Sequence, residues 1–499
     1  MVSTIDSPGF LSMGQDTYKV SFEKVFQANR KKLCCKLQET GSDGVIFLMG
    51  GTNPERFDSD HEPLFRQESY FWYLTGVKEP DCALALDVAT QKCTLFIPKL
   101  PADYATIMGP IKTCEEIQQL YQVDAVKYME EIETALEELL LLTTTSVATK
   151  KRKKAGDEDD EKKDDSSPSS DSTSNKKLLL MKGLNTDSGN MYLPPTEFLE
   201  KAKHGEVLQS HADTDVLFPI LCECRVIKTD AELDVLRHVT ELSSHAHAYV
   251  MRNLKAGMME YQGESLFRHY CYYSYGCRFV GYTPICGCGP NAAILHYGHS
   301  GEPNAFELKD GDICLFDLGA EYCGYGSDIT CSFPANGTFT EKQKDIYNGV
   351  LQAQLVVYKM LKPGVSWVDC HKAAEKAILK QLAKIGIVIP GDKSFDELVE
   401  MRLGAVFLPC GLGHFLGTFY EKRKRCLVSG PSWYNHGDRR KGSSYCFFST
   451  SNSFITHTLF HIQALTRTMW VAICQDIPNA SICRDYVNCE PRGLCKKTC

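Results

Sequence analysis

Apolar residues in the first third of this chain come in short runs rather than at helical spacing. Val45–Met49 is one, closed by Gly50-Gly51, and predicts a buried strand. Phe71–Leu74, Cys82–Val88 and Thr94–Pro98 predict three more. Cys114–Leu120 and Tyr128–Leu142 carry helical spacing instead. Residues 148–177 lose all pattern. They hold a basic run at Lys150–Lys154, an acidic run at Asp157–Glu161 and a serine-rich stretch at Ser166–Ser174. Such a segment buries too little apolar area to offset its ordering entropy, so a disordered linker or insertion is expected. Pattern resumes at Leu178. Thr229-x-x-Glu232 predicts a capping box at the head of a long helix whose buried face carries Leu233, Leu236 and Leu242. His245 and His247 lie two apart there, point in different directions and read as ordinary helix residues. Thr340-x-x-Gln343 predicts a second box and a helix to Met360, stopped by Pro363-Gly364, with a further helix over Trp367–Ala383. A strand-rich block, Phe279–Phe333, lies between the two capped helices.

Composition narrows the class. At 499 residues the chain has room for two to four domains, and 43% hydrophobic with 24% charged residues is ordinary for a globular protein. A net charge of -8 argues against a dedicated nucleic-acid binder. The best candidate for a membrane span, Phe454–Cys474, is interrupted by His457, His461, Gln463 and Arg467. The N-terminus has neither a basic region nor an apolar core, so a cytoplasmic enzyme is expected. Of the 23 cysteines, seven crowd into the last 79 residues. That density suits a disulfide module, but the odd count argues against one.

Three stretches carry candidate chemistry. Asp317 interrupts the apolar strand Ile313–Leu318, where a carboxylate is costly unless paired, hydrogen-bonded or bound to a metal. Asp328 opens the next strand after turns at Gly319, Gly324 and Gly326. If the two strands form a hairpin, the carboxylates fall roughly opposite each other, and a cation between them relieves their repulsion. Gly411-Leu412-Gly413-His414 places an imidazole where the backbone approaches closely, which suits a divalent metal. His296 and His299, in a Gly-rich loop, read as a substrate contact, a metal pair or two plain loop residues. Two Asp and one His favour Mn, Co or Zn, and point to a metallohydrolase.

These motifs resemble the prolidase family of Xaa-Pro dipeptidases. The resemblance includes Leu-Phe-Arg-Gln-Glu-Ser-Tyr at 64–70 and Asn-Thr-Asp-Ser-Gly at 185–189. It is densest from Leu295 through Gly337 and ends with Gly-Leu-Gly-His-Phe-Leu-Gly at 411–417. It implies an α/β (α+β) chain, with an aminopeptidase-P-like N-terminal domain at 17–147 completed by 178–224. An incomplete pita-bread metallopeptidase domain would follow at 225–417. It implies a homodimer that hydrolyses Xaa-Pro and Xaa-hydroxyproline dipeptides with two Mn ions, Co or Zn being alternatives. No nucleic-acid or membrane partner is expected. By position, Asp317 would bridge the metals or ligate the second, Asp328 would bridge them, and His414 would ligate the first. His296 would contact the substrate's carboxylate or peptide group.

The pattern breaks after Gly417. The family continues with a second histidine and two strands, each carrying a glutamate ligand. Here only Glu421 and Glu490 follow, and residues 418–499 read as an unrelated Cys-rich basic tail. Cys410 stands where the family usually has a histidine. Three readings stand side by side. In one the chain is a true dipeptidase and the tail supplies substitute ligands, for example Glu421, His436, Asp438 or Glu490. In another the chain is a splice variant or dead paralogue, acting as a pita-bread binding module or a regulatory partner subunit. Or the tail is translated from an intron or shifted frame.

Overall fold

The computed structural model describes residues 6–14, 16–140, 176–185, 189–298, 301–362, 364–414 and 416–417. The tail, most of the 148–177 segment and His299 lie outside these residues. The chain divides into two units, one reaching to Val235 and the other beginning at Leu236. Each is described by itself.

In the first unit, after three short strands and a π-helical turn at Glu23–Gln27, come helix α1 (Ala28–Glu39) and strand β1 (Gly44–Met49). Ser69–Thr75 forms helix α2, not the strand that the apolar run Phe71–Leu74 predicts. Its ends decide this. Glu68 accepts the Phe71 amide as an N-cap, and Gly76 closes the helix in the left-handed region at φ 64°. Strands β2 (Ala83–Asp87) and β3 (Cys93–Ile97) follow as expected. Helix α3 (Cys114–Tyr121) starts with a complete capping box from Thr113 and Glu116. The helix predicted from Tyr128 begins later, because Ala125–Tyr128 is strand β4 and helix α4 spans Ile132–Leu139. Strand β5 starts at Lys177, the last residue of the stretch read as linker, and runs to Leu180. Strand β6 is Ala212–Asp213. The six strands order as β6-β5-β1-β2-β3-β4. β1 is central and wholly apolar. Its side chains Val45 and Phe47 pack with Phe96, Leu136 and Leu180 in one buried cluster. Truncating such a residue costs about 2–5 kcal/mol.

The second unit hangs on helix α5 (Asp230–Asn253), whose first residues overlap the unit boundary. The predicted box forms: Thr229 N donates to Glu232 at 2.7 Å, and Glu232 N to Thr229 Oγ1 at 3.3 Å. Helix α6 (Glu260–Tyr275) follows. Strands β7 (Phe279–Val280), β8 (Ile285–Cys288), β9 (Ile313–Leu318), β10 (Ala320–Tyr322), β11 (Tyr325–Gly326) and β12 (Ile329–Pro334) make up the strand-rich block. They form two antiparallel sheets, β7-β10-β11 and β8-β9-β12. Helices α7 (Glu341–Met360) and α8 (Trp367–Lys384) close the unit, α7 with the Thr340–Gln343 box. They bury Ile346, Val350, Ile378 and Leu382 together with Leu412.

The register differs from a simple hairpin. Asp317 pairs with Thr330, not with Asp328. The chain leaves β9 at Gly319, makes the short β10–β11 excursion, and returns at Ser327 into β12. Asp328 therefore lies just before β12, two residues short of the Thr330 that pairs with Asp317.

Candidate metal centre

Helix α5 fixes the two strand ends. Ser243 and His247 lie one turn apart on its buried face. Ser243 Oγ is 2.7 Å from Ser327 Oγ and accepts the Ala320 amide at 3.2 Å. His247 Nε2 donates to the Leu318 carbonyl oxygen at 3.0 Å. The helix thus grips the residue after Asp317 and the residue before Asp328. His247 is an anchor for the site, more than the ordinary helix residue that spacing suggests.

Gly319 lets the strands meet. A Cβ there would stand 1.9 Å from the Ser327 carbonyl oxygen and 2.9 Å from Tyr282 Cε1. Only a glycine fits this approach.

Asp317 and Asp328 are both buried, at 2% and 9% exposure. The Tyr282 hydroxyl donates to Asp317 Oδ1 and reaches Asp328 Oδ1 at 3.1 Å. His414 Nε2 lies 3.1 Å from Asp328 Oδ2. The result is a continuous polar chain, Asp317–Tyr282–Asp328–His414, inside an apolar unit. The buried oxygen and imidazole donors are of the kind that suits a hard-to-borderline divalent cation. Thr330 adds to this. It faces Asp317 across the strands, and its Oγ1 is buried with no hydrogen-bond partner among the described residues.

His296 is placed differently. It is exposed, in a turn after the short 3-10 helix Gly289–Ala293. Its loop is tied down by Glu260, which is fully buried. Glu260 accepts from the Cys288 amide at 2.9 Å, Asn291 Nδ2 at 3.2 Å, the Tyr297 hydroxyl at 2.6 Å and the Phe306 amide at 3.2 Å. Burial, then the bond to Glu260, pushes the Tyr297 hydroxyl pKa well up. Tyr297 therefore stays a donor, and the residue beside His296 is held. Cys410 is half-buried at the edge of the α7–α8 core. The substitute ligands Glu421, His436, Asp438 and Glu490 fall outside the described residues.

Sequence reasoning missed Tyr282, Ser243, His247 and Glu260 as parts of the site. A polar pair one turn apart on the apolar face of α5 was the available signal for Ser243 and His247. For Tyr282 and Glu260 no sequence signal marks the role. The first unit holds a second group of donors. Glu133 and Glu137 on α4 and His204 bring their ligand atoms within 4.8 Å of one another.

Comparison with known proteins shows the class: the chain is a metallopeptidase. Residues 234–440 match the model of metallopeptidase family M24, and residues 26–147 match the aminopeptidase P N-terminal domain. The family match runs past Gly417, where the motif resemblance ends. The chain is 43% identical to the Xaa-Pro dipeptidase of Rattus norvegicus over 420 residues, 84% of this chain and 76% of that protein. It is 42% identical to the Xaa-Pro dipeptidase of Homo sapiens over 408 residues, 81% and 74% of the two chains. Among solved structures, a zinc-substituted aminopeptidase P of E. coli in complex with product superposes with a TM-score of 0.61 at 27% identity, covering 80% of this chain and 81% of that one. Proline aminopeptidase P II of Yersinia pestis gives a TM-score of 0.61 at 26% identity, covering 80% and 82%. The chain belongs to metallopeptidase family M24 and has the aminopeptidase P-like fold. Among the described residues no helix is long and apolar enough to cross a membrane.

Proposed function

We propose that this chain hydrolyses dipeptides with proline or hydroxyproline in the C-terminal position, as a cytoplasmic homodimer with two Mn ions, Co or Zn being able to replace them. The observation that carries the reading is the buried chain Asp317–Tyr282–Asp328–His414. Asp317, Asp328 and His414 would hold the ions. The chemistry a divalent ion supplies in such a site is activation of a water and polarisation of the scissile carbonyl. The protein's own residues do the rest. Ser243 and His247 keep the two carboxylates at fixed separation. Tyr282 donates to a carboxylate oxygen and orients it. Glu260 holds the loop from which His296 would meet the substrate's carboxylate or peptide group.

Proton transfer is the weak point. After Gly417 the chain offers only Glu421 and Glu490 as glutamates. General acid–base help contributes about 10²–10⁴ in rate. The test is Gly-Pro hydrolysis by the purified full chain with added Mn, with and without EDTA. Turnover that EDTA abolishes supports the dipeptidase. A folded, Mn-loaded and inactive chain overturns it and favours a binding module, which should keep its partner in EDTA.

A further inference from the structure

Cys288 ends β8 and Cys314 lies in β9, and the two are cross-strand partners. Both are buried, at 4% and 0% exposure. Their sulfurs are 3.4 Å apart, in van der Waals and hydrogen-bond contact. Neither belongs to the polar chain of the metal centre. The backbone explains why they come so close. The Cys288 amide donates to Glu260 and the Cys286 amide to Asn304, so neither is spent on β9. Cys288 and Cys314 are therefore a non-hydrogen-bonded antiparallel pair, the position where Cα atoms stand about 4.5 Å apart. That spacing lies within the 4.4–6.8 Å or so that a disulfide spans.

We propose that Cys288 and Cys314 are a modification site, a dithiol that closes to a cross-strand disulfide on oxidation by a peroxide. The step balances. One sulfur attacks a peroxide oxygen, the O–O bond breaks, the thiol proton leaves in water, and a sulfenic acid remains. The second sulfur attacks the first. The S–S bond forms, the S–O bond breaks, and the second thiol proton leaves in a second water. Two thiols give up two electrons, and the peroxide takes them. The sulfurs need to approach only from 3.4 Å to about 2.05 Å.

The enclosure sets the rate. Closure waits on local opening of the strands, and the same burial then shields the bond from thiol exchange. The bond would fasten the start of the His296 loop, since Cys288 also donates its amide to Glu260.

The experiment uses the full chain, fully reduced and then treated with dilute hydrogen peroxide. Remaining thiols are blocked with N-ethylmaleimide under denaturing conditions, and peptides are mapped by mass spectrometry. The expected result is a linked peptide joining Cys288 to Cys314 that dithiothreitol separates and that Cys288→Ser lacks. The proposal is overturned if folded wild-type protein shows both residues blocked, or either one carrying a sulfinic acid with no link, at a dose that oxidises the half-buried Cys114. The wild-type map decides the matter even if the variant fails to fold.

Discussion

Asp317, Asp328 and His414 in the second unit and Glu133, Glu137 and His204 in the first are built from the same chemical parts. Their settings differ. In the first unit both glutamates stand one turn apart on α4 with side chains 23% and 21% exposed. The Lys203 amide donates to Glu133 Oε2 at 3.0 Å, the His204 amide to Glu133 Oε1, and His204 Nδ1 meets Glu137 Oε1. Each carboxylate there has a donor of its own, and water screens the rest. In the second unit the Asp328 side chain has no exposure at all, the Tyr282 hydroxyl bridges both carboxylates, and His414 Nε2 meets Asp328. The ligand atoms of Glu133, Glu137 and His204 all lie within 4.8 Å of one another, whereas in the second unit His414 meets Asp328 and Tyr282 links Asp328 to Asp317. What separates them is burial: the aspartates of the second unit are taken out of water, and a buried carboxylate has to be paired, hydrogen-bonded or bound to a metal.

The largest expected effect tests that distinction directly. Asp328→Asn removes a buried charge that His414 and Tyr282 both face. Metal affinity should fall by more than the roughly 10–100-fold that changes beyond the ligand shell cost, and metal content after dialysis should drop accordingly. Gly-Pro turnover, where present, should fall with it. Elemental analysis after dialysis against Mn reads the first. An Asp328→Asn protein that keeps its full metal complement would erase the difference between the two groups of donors.

The second-unit half of this contrast was legible in the sequence, for local reasons, while the Glu133–Glu137–His204 group was not. Asp317 stood out because a carboxylate inside Ile313–Leu318 has to be explained. Both capping boxes, at Thr229 and Thr340, formed because their signals act within one turn. The failures were tertiary. Phe71–Leu74 looks like a strand by composition, yet its cap at Glu68 and its stop at Gly76 make it a helix. The register of Asp317 could not be read from spacing, since the β10–β11 excursion sits between the strands. Tyr282, Ser243 and His247 act through partners 35 to 84 residues away. No pattern in one sequence reports such distances.

A second variant probes how the site is held. Gly319→Ala puts a methyl group into the Ser327 carbonyl oxygen and the Tyr282 ring. Overpacking of this kind costs about 1–3 kcal/mol. Chemical denaturation should show that loss, and metal affinity should fall too, because the displaced atoms flank both carboxylates. Equal stability with unchanged metal content would mean that the strands do not need their close approach.

Asp87 supplies a third kind of buried carboxylate, one with a cation of its own. Its side chain is 3% exposed and meets Lys176 Nζ at 2.6 Å. Burial works to raise its pKa, but the Lys176 and Thr90 hydrogen bonds outweigh it and hold the value below normal. The unfolded value is about 3.9. The pair therefore adds stability that is complete above that pH and is lost as pH falls through the lower folded value. Lys176→Met should cost about 1.5–3 kcal/mol at neutral pH, the range for a hydrogen bond to a charged group. The gap between wild type and variant should narrow below pH 4 or so in the same denaturation series. A gap that stays constant with pH would remove the charge from the explanation and leave only packing of the lysine stem.

The smallest effect belongs to the exposed group, and it completes the comparison. Glu137→Gln keeps the size of the side chain and removes one charge beside His204. Because the pair is partly exposed, solvent screens it, and the expected loss is under about 1 kcal/mol. Glu133 keeps both backbone donors, so the turn at Lys203–His204 should stay in place. Metal content should not change, in contrast to Asp328→Asn. Titrating both variants with Mn under the same conditions puts the two groups of donors on one scale. A Glu137→Gln protein that loses as much metal as Asp328→Asn would show that burial of a carboxylate does not decide where the cation goes.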